Sequence, residues 1–197
     1  EYGSMAFGLV GPGSECYGFD DELSKDHDWG PKVYVWVPKE LYTEKGEELQ
    51  RFYESLPKEC CGYGPTRERD PGNRREGVFS VEKFYSSLLG IEIPPQKNKE
   101  WLIADEEALS LCTNREVFAD YYGAFSEFRN ALLSYYPLDV HLKKIAGRCL
   151  LISQHGQYNL WRAIKRNDVP AAEYDKAIFA REVASLAFLL ERTYRPF

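Results

Sequence analysis

The stretch Met5-Ala-Phe-Gly-Leu-Val-Gly-Pro-Gly-Ser14, with Asp26-His-Asp-Trp-Gly-Pro-Lys-Val-Tyr-Val-Trp-Val-Pro38 beyond it, decides the fold. Its first part is a short apolar run broken by Gly-Pro-Gly-Ser, the pattern of a strand over 5–10 that ends in a tight turn. The second part predicts a strand over 26–38. There Val33, Val35 and Val37 alternate with Tyr34 and Trp36, a β-branched and aromatic period of two. Two strands joined by a loop open the chain.

Working outward, a polar amphipathic pattern predicts a helix over 44–56, and a loop rich in Gly, Pro and Arg follows to residue 75. Gly77-Val-Phe-Ser-Val81 reads as a further strand, leading into a helix over 82–89. Residues 90–99, with Pro94-Pro95, read as a linker. From Trp101 the signal is helical, with helices expected over 105–111, 124–135, 139–154, 159–166 and 171–192. The last carries Ala177, Ile178, Ala184, Leu186, Ala187, Leu189 and Leu190, a face wide enough for a bundle interior. Tyr121, Tyr122, Phe125, Phe128, Tyr135 and Tyr136 read as core. The expected fold is α+β (α/β). A small mixed-sheet lobe over 1–98 precedes a helical lobe over 99–197, and a cleft between them is the default ligand site.

Composition bounds the partners. The 197 residues are 44% hydrophobic and 28% charged, enough apolar material for a core. The net charge of −6 argues against a duplex nucleic acid partner, which calls for a basic surface. No apolar run reaches the roughly 20 residues of a membrane span, and no basic-then-apolar signal opens the chain. Five cysteines without a CxxC pair fit a reducing, cytoplasmic setting. A start at Glu1 rather than Met is expected of a fragment or processed chain.

Asp26 and Asp28 stand two apart at the start of a predicted strand, and strand residues i and i+2 face one side. Two converging carboxylates suit a hard cation such as Mg2+, which takes oxygen ligands and keeps some waters. Gly13 lets a backbone approach a phosphate closely, and the Ser14 hydroxyl can hydrogen-bond its oxygens. Lys143, Lys144 and Arg148 share one predicted helix, and Arg162, Lys165 and Arg166 share the next. These are candidate phosphate partners. Gln157, Tyr158 and Asn159 follow Gly156 at an expected helix start, where they could meet a base or sugar.

Gly-Ser, a gap of this length and Asp-x-Asp on a strand resemble the signature of the polymerase-β-like nucleotidyltransferase superfamily. More narrowly, several segments resemble the uncharacterised bacterial domain-of-unknown-function family 4037. They are Gly-Phe-Asp-Asp-Glu-Leu-Ser24, Asp26-His-Asp-Trp-Gly-Pro31, Thr113-Asn-Arg-Glu-Val-Phe-Ala-Asp120, Tyr135-Tyr-Pro-Leu-Asp-Val140, Gly156-Gln-Tyr-Asn159 and Arg192-Thr-Tyr-Arg-Pro-Phe197. That resemblance spans nearly the whole chain. It implies transfer of a nucleoside monophosphate from a nucleoside triphosphate such as ATP to a hydroxyl, with Mg2+ on Asp26 and Asp28. It further implies Gly13 and Ser14 on the phosphates and Lys143 or Lys144 as their lysine, with Arg162 a further candidate. It also implies a third carboxylate, for which Glu82 and Asp120 are the candidates, with Glu116 a further candidate base. The acceptor would be a small molecule, a protein side chain or an RNA end. The rival expectations are a nucleotide-binding module without catalysis, and an antitoxin-like enzyme acting on a protein partner.

Overall fold

The computed structural model describes residues 2–19, 21–24, 30–64 and 76–196. Four strands form one mixed sheet: β1 (Ala6–Leu9), β2 (Tyr34–Val37), β3 (Gly77–Ser80) and β4 (Glu116–Asp120). Their order is β3-β2-β1-β4. β1 runs antiparallel to both its neighbours, and β2 runs parallel to β3. The fold is α+β: this sheet and its helices come first, and a helical region follows.

The alternation in β2 sorts its side chains between the two faces of the sheet. On one face Val35 and Val37 pack with Met5 and Val78. Helix α1 (Lys39–Ser55) covers them with Leu41, Tyr42, Leu49 and Tyr53, residues that recur at helical spacing. On the other face Trp36 stacks on Phe125 at 3.8 Å and meets Phe84 edge-on at 5.3 Å. Those rings come from α2 (Val81–Leu89) and α5 (Ala124–Leu133). Tyr85 of α2 stacks on Phe128 at 3.7 Å, and its hydroxyl donates to the Phe125 carbonyl at 3.2 Å. Burial pushes that phenol well above its ordinary pKa. Both sheet faces are thus covered, and all four residues of β2 are buried.

Several expectations need correction. The strand expected over 26–38 is confined to Tyr34–Val37 within the described residues; residues 30–33 are not strand, and 25–29 lie outside those described. Helix α1 begins at Lys39, right after Pro38, because Leu41 and Tyr42 already belong to its buried face. Strand β4 lies in a region expected to be helical. It falls between the helices expected over 105–111 and 124–135, where no strand is expected, and pairing with β1 makes it one. Tyr121 and Tyr122, expected in a core, are exposed, whereas Phe125 and Phe128 are buried.

The chain divides into two compact units, residues 1–94 with 111–134, and residues 95–110 with 135–197. A single cut at residue 98 does not give this division, because β4 and α5 return to the first unit. The second unit contains α3 (Asn98–Ile103), the start of α4 (Glu106–Thr113), α6 (Leu138–Ile152), α7 (Leu160–Lys165) and α8 (Val169–Leu190). Residues expected to form a break at Gly156 instead form a π-helical stretch, Ser153–Asn159, continuous with α6 and α7. Gly156 is close-packed: a Cβ there would overlap the Phe179 ring, with Cε2 at 2.6 Å. Beside it, His155 Nδ1 lies 2.6 Å from Asp175 Oδ1 of α8. Tyr135, Tyr136, Trp101 and Tyr194 form this unit's aromatic cluster. No helix among the described residues is long and apolar enough to cross a membrane.

Candidate functional site

Strand β1 ends at Leu9 and runs through buried Val10 into Gly11, Pro12 and Gly13. Gly11 and Gly13 have φ of 127° and 131°, values that L side chains rarely adopt. A 3-10 turn, Ser14–Tyr17, follows and closes at Gly18. The glycine at 13 meets a second demand: a Cβ there would strike the Glu15 carboxyl group, whose Cδ would be 2.7 Å away. Glu15 is buried and pairs with Lys32, whose side chain is 2% exposed. That pair ties the turn to the approach of β2. It also neutralises a carboxylate that would otherwise repel any anion nearby.

The loop is gripped from a third direction. The Gly11 N–H donates to Asn114 Oδ1 at 3.0 Å, and Asn114 Nδ2 donates to the Gly11 carbonyl at 2.8 Å. Arg129 Nη2 in turn donates to the carbonyls of Thr113, Asn114 and Arg115, at 2.6, 2.9 and 2.8 Å. Burial pulls the Arg129 guanidinium below its ordinary pKa. Arg115 takes a φ of 42° and sets its guanidinium against Gly18, 3.1 Å from where a Cβ would stand.

Sheet register shows which carboxylates share this end. Gly8 pairs with Tyr34 and Leu9 with Glu116, so Glu116 and the start of β2 lie at the loop end of β1. Asp120 pairs with Ala6, three residues back and about 10 Å along the strand. Its two oxygens accept from the Gly123 and Ser126 N–H groups, at 2.7 Å each, and so cap α5. Glu82 follows β3, whose last residue pairs with Val37, again at the far end. Its Oε2 is buried and has no hydrogen-bond partner among the described residues. The two expected third carboxylates therefore stand away from the loop, and Glu116 stands beside it. A bulge at Phe118 in β4 sets this register. Gly8 permits the close approach, since a Cβ there would lie 2.8 Å from the Glu116 carbonyl oxygen and 3.0 Å from the Trp36 ring.

Asp26 and Asp28 lie outside the described residues. Among those described, no group of three or more His, Cys, Asp or Glu side chains is placed to hold a metal. In the second unit, Lys144 lies 3.5 Å from Glu106 and 4.8 Å from the centre of the Tyr136 ring, and burial lowers its pKa. Arg148 bridges Glu106 and Glu182 at 3.1 and 2.7 Å. These two cations serve an internal network. Lys143 is exposed on the same helix, and Arg162 lies over Tyr158 at 4.0 Å. Asn114, Arg129 and the Glu15–Lys32 pair are missed by sequence reasoning. Only the Thr-Asn-Arg run at 113–115 signals one of them.

The described residues thus define an α+β unit whose first strand feeds a glycine loop held by polar side chains, one of them the buried Glu15. The family model described as Domain of unknown function (DUF4037) matches residues 101–197. That segment supplies Asn114, Glu116 and Arg129, while the loop itself and Asp26/Asp28 precede it. No curated protein and no solved structure matches the chain.

Proposed function

We propose that the protein is a Mg2+-dependent nucleotidyltransferase, moving a nucleoside monophosphate from a nucleoside triphosphate to a hydroxyl of a small-molecule or protein acceptor. One observation carries this reading. The Gly13-Ser14 loop and Lys32, just ahead of β2, meet at one end of the sheet through the Glu15–Lys32 pair, and Asp26 and Asp28 precede Lys32 by only a few residues in sequence. The donor set fits the ion: two carboxylates and phosphate oxygens are the hard ligands that Mg2+ takes. When bound, the ion would neutralise charge on the departing pyrophosphate.

In this reading the backbone at Gly13 and the Ser14 hydroxyl hold the triphosphate. Asp26 and Asp28 hold the metal. Glu116 takes the place of the third carboxylate and receives the acceptor's proton, in preference to Asp120 and Glu82. Lys144, one of the two expected phosphate lysines, already serves Glu106. A second reading, nucleotide binding without transfer, is favoured by one fact: Asp120 is committed to its helix cap.

Titration with Mg-ATP, coupled to pyrophosphate release with candidate acceptors, tests both. The leading reading expects turnover that Asp26→Asn lowers at least a hundredfold, in the range found on removing one group that stabilises transition-state charge. Unchanged turnover in that variant refutes it. Tight binding with no release for any acceptor class supports the second reading.

A further inference from the structure

We propose that Asn114 is a positioning residue that sets the 11–14 loop for phosphate, an inference that rests on the reading of Gly13-Ser14 above. Its amide bonds both the N–H and the C=O of one residue, Gly11, as a neighbouring strand would, 103 residues away in sequence. β1 has already ended at Leu9, so no ladder directs the chain at Gly11. Glycines at 11 and 13 could take many conformations, and the grip on Gly11 selects one of them two residues before the phosphate contact.

The grip is itself braced. Arg129 fixes three consecutive carbonyls around Asn114, and the helix bearing Arg129 is anchored by the Asp120 cap. A site held this way binds without ordering the loop at the moment of contact. The side chain must both accept and donate at one planar group. Asp loses the donor, and Ala loses both.

The experiment uses the full chain as wild type, Asn114→Asp, Asn114→Ala and Tyr85→Phe. The last removes the Tyr85–Phe125 bond elsewhere in the same unit and serves as a stability control. Calorimetry measures binding of Mg-ATP and of inorganic tripolyphosphate, and hydrogen exchange follows the amides of residues 11, 13 and 14. Both Asn114 variants are expected to bind each probe about tenfold more weakly, about 1.4 kcal/mol, with faster exchange in the loop. Tyr85→Phe is expected to bind as wild type does. Binding within twofold of wild type in the Asn114 variants overturns the proposal, as does equal weakening in Tyr85→Phe. If Asn114→Ala does not fold, Asn114→Asp, which keeps the bond from the Gly11 N–H, decides. A wild type that binds neither probe removes the phosphate reading and the positioning role together. Tight wild-type binding with unaffected variants removes the positioning role alone.

Discussion

Replacing Arg148 with Met tests how the second unit is held together. Arg148 Nη1 donates to Glu182 Oε2 at 2.7 Å, and Nη2 lies 3.1 Å from Glu106 Oε2. Glu182 is fully buried and Glu106 is 7% exposed. Removing one partner of a buried pair costs 3–5 kcal/mol because a charge is left uncompensated. Here Arg181 still reaches Glu182 at 2.7 Å, and Lys144 stays 3.5 Å from Glu106, so the lower end applies, about 3 kcal/mol. For a chain of this size that is a fall in Tm of about 6–12 °C. The pH dependence has a definite sign. Burial alone would raise the Glu182 pKa, but hydrogen bonds from Arg181 and Arg148 prevail and hold it below the ordinary glutamate value. A depressed carboxyl contributes stability that is complete above the unfolded-state pKa and is lost as pH falls through the folded one. The penalty of Arg148→Met should therefore be full at pH 7 and shrink below about pH 4. Urea denaturation followed by far-UV circular dichroism at both pH values measures it. A loss under about 1 kcal/mol at pH 7, or one that stays constant into acid, refutes the assignment of buried, paired carboxylates.

Gly8→Ala places a Cβ against the Glu116 carbonyl and the Trp36 ring. It should cost about 1–3 kcal/mol, read as a lower Tm, while the same change at Gly147, where a Cβ meets nothing within 4 Å, should be neutral or mildly stabilising. Among the cysteines, Cys60, Cys61 and Cys149 are exposed, and Cys16 and Cys112 are buried. A thiol reagent should therefore label three of the five quickly in the native protein and all five only after unfolding. Burial also pushes the Cys112 thiol above its ordinary pKa, which slows its reaction further. Rapid labelling of all five under native conditions contradicts the burial of Cys16 and Cys112.

The strands β1, β2 and β3 were legible because each carries its own signal: an apolar run cut by glycine and proline, a period-two alternation, a β-branched segment. β4 was not. Glu116-Val-Phe-Ala-Asp120 has an exposed Phe118 at a bulge and no clean alternation, and only pairing with β1 makes it a strand. Without β4, register could not be read, so Glu82 and Asp120 stood as the candidate third carboxylates and Glu116 only as a candidate base. The glycine loop was legible from composition. The groups that hold it were not, because Asn114 and Lys32 are ordinary polar residues until the fold brings them to Gly11 and Glu15. Gly156 shows the opposite error: a glycine read as a helix boundary is there because Phe179 leaves no room for a side chain.

The return of residues 111–134 to the first unit has a practical meaning for how the polypeptide can be divided. The backbone passes between the units three times, at 94/95, 110/111 and 134/135. Neither unit is therefore a continuous piece of chain, and no single proteolytic cut or cloning boundary releases one intact. A fragment trimmed to 101–197 would carry β4 without β1, and Asn114 without its glycine. The span that a family profile recognises and the compact unit that it overlaps are different lengths of this chain.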